Sequence, residues 1–119
     1  MTGNQVKGKS FRGALRYNLE KVEKDVAEIL GSSFVNTPER GIMNEVKMMR
    51  MLRPNLQKYF YHTSINFPPT ENIPNALMKQ IGLDYLNANG FNQHQYMMFR
   101  HHDADHPHLH ILVNRIGFD

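Results

Sequence analysis

From Phe11 onward, apolar residues recur at spacings of three and four: Phe11, Leu15, Leu19, Val22, Val26 and Ile29. Such a stripe predicts an amphipathic helix from about Phe11 to Leu30, with Ser10 as its N-cap and Gly31 as its stop. Gly31 to Gly41, with Pro38 and two serines, reads as a loop. A second helix, about Ile42 to Leu52, is rich in methionine, which at helical spacing is adaptable core. Arg53-Pro54-Asn55 breaks the chain. Tyr59 to Phe67 then alternates as a strand does. Phe60, His62, Ser64 and Asn66 share one face, and Tyr59, Tyr61, Thr63, Ile65 and Phe67 the other. Ile73-Pro74 opens a third helix that buries Leu77, Met78, Ile81, Tyr85 and Leu86 and stops at Asn89-Gly90. Gln95 to Arg100 and Ile111 to Asn114 are strand-like, and Gln5-Val6-Lys7 is a short edge strand. Strand, helix, helix, strand, helix, strand, strand predicts an α+β domain: an antiparallel sheet with helices packed on it.

Chemistry concentrates in the last hairpin. Five of the seven histidines fall within His101-His102-Asp103-Ala104-Asp105-His106-Pro107-His108-Leu109-His110. On a strand, His108, His110, Leu112 and Asn114 share a face, while Leu109, Ile111 and Val113 turn to the core. Two imidazoles side by side on a rigid strand repel when protonated, so a metal ion is the natural reason to keep them together. Asp103 to Pro107 reads as a turn that folds His101 across from that pair as a third ligand. Asp103 or Asp105 can accept the second N–H of a ligating histidine and fix its tautomer. Three ligands without a cysteine leave a coordination position open for substrate, the catalytic pattern. The bland alternative is a surface histidine cluster that scavenges metal.

Length and composition narrow the setting. One domain is expected in 119 residues, and no run is long and apolar enough for a membrane span. The absence of cysteine excludes a disulfide framework and points to a reducing cytoplasm. The net charge is only +3, but Lys7, Lys9, Arg12 and Arg16 precede the first acid, and Lys47, Arg50, Arg53 and Lys58 form a second cluster. Basic patches beside a metal site suit a phosphate-bearing ligand. Tyr17 points away from its helix's apolar stripe and lies among Arg12, Arg16 and Lys21. Spacing alone makes it an amphipathic surface tyrosine; a phenol so placed can also be a nucleophile.

The run His101-x-Asp103-x-x-His106-Pro107-His108-x-His110-x-x-x-Asn114-Arg115 resembles the metal-binding motif of plasmid mobilisation relaxases, members of the HUH endonuclease superfamily. Ser10 to Lys21 is similar to the helix that carries their catalytic tyrosine, and the likeness, to mobilisation proteins of Bacteroidetes-type elements, spans almost the whole chain. By that resemblance His101, His108 and His110 hold the metal, Tyr17 is the nucleophile, and Asp103 and His106 are supporting catalytic positions. Lys7, Lys9, Arg12, Arg16, Lys21 and Arg115 are expected to contact DNA. The resemblance implies Mg²⁺ or Mn²⁺, whereas three imidazoles by themselves favour zinc or another later transition metal. It also implies strand-specific nicking and rejoining of single-stranded DNA at a transfer origin through a 5′-phosphotyrosyl intermediate. Relaxosome accessory proteins and a coupling protein are the implied partners. Relaxase domains usually continue beyond the histidine motif, so residues 1–119 are expected to be a nuclease domain truncated on its C-terminal side. Two other readings are a non-catalytic metal-containing DNA-binding module and a rolling-circle replication initiator. The second is disfavoured because such initiators usually place the tyrosine after the histidines.

Overall fold

The computed structural model describes residues 2–8, 10–69 and 72–118, with the side chains of residues 2–8 outside the description. Its elements are β1 (Thr2–Gly8), α1 (Phe11–Glu23), β2 (Ala27–Ser32), α2 (Glu39–Arg50), β3 (Phe60–Asn66), α3 (Asn75–Ala88), β4 (His94–His101) and β5 (His108–Gly117). The strands form one sheet in the order β1-β3-β5-β4-β2, antiparallel at each junction. This is the α+β architecture the sequence predicts.

Alternation along β3, β4 and β5 divides the sheet into two apolar faces. On one, Phe60, Met97, Phe99 and Leu112 pack with Phe11 and Leu15 of α1 and with Ile42 and Val46 of α2. On the other, Met98, Leu109, Ile111 and Val113 pack with Met78 and Leu86 of α3. α3 lies close because its buried line is Met78-Gly82-Leu86, and a Cβ at Gly82 would stand 2.6 Å from Met98 Sδ. Leu77, expected in that stripe, is instead 51% exposed on the helix flank.

The largest correction concerns the first helix, which ends at Glu23 instead of near Leu30. Asp25 adopts φ 60°, the left-handed conformation that commonly terminates helices. Its N–H donates to Val22 O at 3.1 Å and that of Val26 to Lys21 O at 3.0 Å, the paired bonds of a Schellman stop. An aspartate stands where glycine usually marks such a stop, so no breaker shows in the sequence. Val26 and Ile29 fit the helical spacing by coincidence; residues 27–32 pair with β4 as an edge strand, bulged between Ile29 and Gly31. Smaller shifts occur elsewhere. α2 begins three residues before the expected start, and β5 extends on both sides of the expected Ile111–Asn114.

Asp25→Gly removes the Cβ that makes φ 60° costly and is expected to stabilise the fold by about 0.5–1 kcal/mol. Urea unfolding measures it; a lower midpoint would contradict the left-handed stop.

Candidate active site

Antiparallel pairing decides which side chains meet. His101 at the end of β4 lies opposite His108 at the start of β5, and Phe99 lies opposite His110. All three histidines therefore project from the sheet face covered by α1 and α2, as does His62 of β3. The His101 and His110 rings stack with centroids 4.0 Å apart, His108 lies 6.1 Å from His110, and His62 lies 5.3 Å from it. His101 is only 3% exposed.

Burial holds these rings neutral. Desolvation, reinforced by Lys21 and the neighbouring histidines, pushes the His101 pKa down to about 4. The same cause, with His101 next, takes His110 down to about 3, and burial also lowers His62 and His108. A cluster of uncharged imidazoles is the donor set a divalent ion needs, and His108 Nε2 is buried without a hydrogen-bond partner. Among the described residues, no three His, Asp or Glu side chains stand in coordination geometry. Other ring nitrogens are engaged: His101 Nε2 meets Asn18 Oδ1 at 2.6 Å, and His110 Nδ1 meets His62 Nε2 at 3.0 Å.

α1 crosses this face and brings the tyrosine. Phe11, Leu15 and Asn18 form its buried side, so Tyr17 is turned toward its edge. Tyr17 is 53% exposed, and its ring centroid lies 6.4 Å from that of His101. Lys21, one turn on, sets Nζ 5.1 Å from the Tyr17 centroid and pairs with Asp103 of the β4–β5 turn. The same turn carries exposed Asp105 and half-buried His106, whose ring lies 4.3 Å from that of His108. Of Asp103 and Asp105, expected as acceptors for a histidine N–H, Asp103 does not bond His101 in this structure. Its Oδ1 is 3.9 Å from His101 Nδ1, too far for a hydrogen bond, and Asn18 takes the other nitrogen.

The expected DNA contacts are spread unevenly. Arg16 donates two 3.0 Å bonds to Glu39, an exposed pair that offsets its charge. Lys21 stands at the tyrosine and Arg12 is exposed at the start of α1. Arg115 donates to Lys58 O at 2.6 Å and lies seven residues along β5 from His108, about 23 Å away. The side chain of Lys7 and the whole of Lys9 lie outside the described residues. Sequence reasoning missed a groove of about 350 Å³ lined by Ser10, Arg12, Met43, Lys47, Arg50 and Tyr59. Among the described residues its lining holds three cations and no acid, and the Arg50 guanidinium rests 4.1 Å over the Tyr59 ring.

A tyrosine-bearing helix thus lies over a histidine-bearing antiparallel sheet. The model of the family described as relaxase, MobA/VirD2-like, nuclease domain matches residues 17–119, and the chain belongs to that family. None of the curated proteins matches the chain. Membership implies DNA binding and DNA nicking in mobilisation. No helix among the described residues is long and apolar enough to cross a membrane.

The depressed histidines give the metal-free protein a defined acid response. In the unfolded chain imidazoles take up protons near pH 6.5, while in the fold His101 and His110 resist until about 4 and 3. Their contribution is therefore complete above about pH 6.5 and is lost as pH falls toward those lower values. Metal-free protein is expected to show a lower urea midpoint at pH 5 than at pH 7.5. His110→Phe, which removes one titrating ring, is expected to narrow the difference; equal wild-type midpoints would contradict the buried neutral cluster.

Proposed function

We propose that this chain nicks and rejoins one strand of DNA at a transfer origin, with Tyr17 as nucleophile and a divalent ion on His101, His108 and His110. The observation that carries the reading is the meeting of a half-exposed tyrosine ring, 6.4 Å from that of buried His101, with a partly buried histidine cluster. Mg²⁺ or Mn²⁺ is the ion expected, with zinc as the competitor that imidazole donors favour. When bound, it supplies positive charge at the non-bridging oxygens of the scissile phosphate.

The chain's own groups do the rest. Tyr17 Oη forms the new bond to phosphorus, and the bond from phosphorus to the 3′ oxygen breaks, leaving a 5′-phosphotyrosyl enzyme and a 3′-OH. The phenolic proton passes to a base on the β4–β5 turn, and the departing 3′ oxygen takes up a proton. Asp103, Asp105 and His106 are the groups available there. Of these Asp103 is joined to the tyrosine through Lys21, which also sets a cation beside the phenol as negative charge develops. Reversal of the same steps reseals the strand, because the covalent bond conserves the energy of the broken linkage.

A single strand suits the site because a scissile phosphate has to be drawn in between α1 and the sheet edge. The groove of Arg12, Lys47 and Arg50 offers charge for the neighbouring backbone, and Tyr17 an exposed ring for stacking. Relaxosome accessory proteins, a coupling protein and a cytoplasmic setting accompany this reading.

Two substitutions separate the parts. With transfer-origin single-stranded oligonucleotide and Mn²⁺, wild type is expected to form a denaturation-resistant adduct. Tyr17→Phe is expected to form none while keeping fold and metal. His108→Ala is expected to lose Mn²⁺ binding and at least 100-fold in cleavage rate, the scale set by electrostatic transition-state groups. Wild-type cleavage by His108→Ala would remove the metal assignment, and an adduct mapped to Tyr59, Tyr61 or Tyr96 would move the nucleophile. Tight DNA binding without any adduct would instead mark a non-catalytic module.

A further inference from the structure

We propose that Asn18 and His62 are positioning residues that fix the tautomers of two metal-binding imidazoles through neutral partners instead of carboxylates. The metal-binding part rests on the function proposed above; the hydrogen bonds stand without it.

Asn18 is a polar residue on the buried stripe of α1, 1% exposed, and such a group requires partners. Its Nδ2 donates to Ala14 O at 2.8 Å, which fixes the orientation of the amide. Oδ1 is then the atom facing His101 Nε2 at 2.6 Å. A carbonyl oxygen only accepts, so His101 carries its proton on Nε2 and keeps a lone pair on Nδ1. The second pairing works through His62. His62 Nε2 and His110 Nδ1 are 3.0 Å apart, and one of the two must donate. For His110 to offer a lone pair at Nε2, its Nδ1–H has to donate to His62. The Phe60 ring, stacked 6.2 Å from that of His62 at an interplanar angle of 10°, holds the acceptor in plane.

The choice of partners has a chemical consequence. A carboxylate behind a ligating histidine raises its basicity and pushes electron density toward the ion. An amide and an imidazole fix ring orientation with little of that push, leaving more positive charge for phosphate oxygens. Among the described residues the carboxylate beside His101 is Asp103, which pairs with Lys21 and stays 3.9 Å from His101 Nδ1. Asn18 also follows Tyr17 directly in the chain. The bond that sets the tautomer of His101 therefore ties the same turn of α1, and with it the nucleophile, to the sheet.

The test reads protons before metal. Long-range ¹H–¹⁵N spectra of metal-free protein are expected to show His101 protonated on Nε2 and His110 on Nδ1. Asn18→Ala is expected to leave His101 as a mixture of tautomers and to weaken binding of Mn²⁺ alone, followed by electron paramagnetic resonance, about 10–100-fold. His62→Ala should act in the same way on His110. Asn18→Asp gives up the Nδ2 bond to Ala14 O but keeps an acceptor facing His101 Nε2, so where it folds it should keep the His101 tautomer and bind Mn²⁺ more tightly than wild type, because it restores a carboxylate push. Should Asn18→Ala not fold, the wild-type spectrum and Asn18→Asp still decide. Wild-type His101 protonated on Nδ1, or unchanged tautomer and affinity in Asn18→Ala, overturns the assignment, as does weaker Mn²⁺ binding by folded Asn18→Asp. The stated tautomers in a wild type that binds no Mn²⁺ would overturn the metal part and the proposed function, leaving only the hydrogen bonds.

Discussion

The register of β4 against β5 is the constraint on which the rest of the molecule depends. With His101 opposite His108 and Phe99 opposite His110, the pleat sends all three imidazoles to the face under α1 and α2. Because side chains alternate with period two, a slip of β5 by one residue would carry His108 and His110 to the α3 face and bring Leu109, Ile111 and Val113 under α1. The opposite face guards against this. Leu109, Ile111 and Val113 are fully buried there beside Met78 and Leu86. Each such side chain loses roughly 1.5–3 kcal/mol of burial if exposed, so core packing defends the register of the site.

α1 is held to this frame in several independent ways. Phe11 and Leu15 are fully buried, and Phe11 meets Phe34 and Phe60 edge to face. Asn18 bonds His101, Lys21 pairs with Asp103, and beyond the Asp25 stop the chain returns as β2 beside β4. His102 N donates to Val26 O at 2.7 Å, tying that return to the start of the histidine turn. A tyrosine on such a helix is presented at a set place over the sheet while its own ring stays in solvent. That combination suits a nucleophile, which needs fixed position and open access together.

Much of this was legible in the chain. Period-two alternation gave the faces of β3 and β5, and the His101…His108-x-His110 spacing gave the hairpin, because burial enforces both patterns. The β2 strand was hidden because residues 26 and 29 continue a helical spacing and an aspartate performs the stop that glycine usually announces. Asn18 left a signal that went unread: it lies seven residues after Phe11 and three after Leu15, on the apolar stripe itself. A polar residue at a core position carries more information than an apolar one, since it has to be satisfied there. The groove of Arg12, Lys47 and Arg50 was visible only as two separate basic clusters, and tertiary packing alone brings α1 beside α2.

The central claim is that Tyr17 and the three histidines share one side of the sheet and one ion. Paramagnetic broadening by Mn²⁺ tests it most directly, since relaxation falls with the sixth power of distance. Substoichiometric Mn²⁺ is predicted to broaden the ring signals of Tyr17, His101, His108 and His110 while those of Tyr85 and Tyr96, on the α3 side, stay sharp. A sharp Tyr17 beside broadened histidines, or broadening of Tyr96 in its place, would contradict the account.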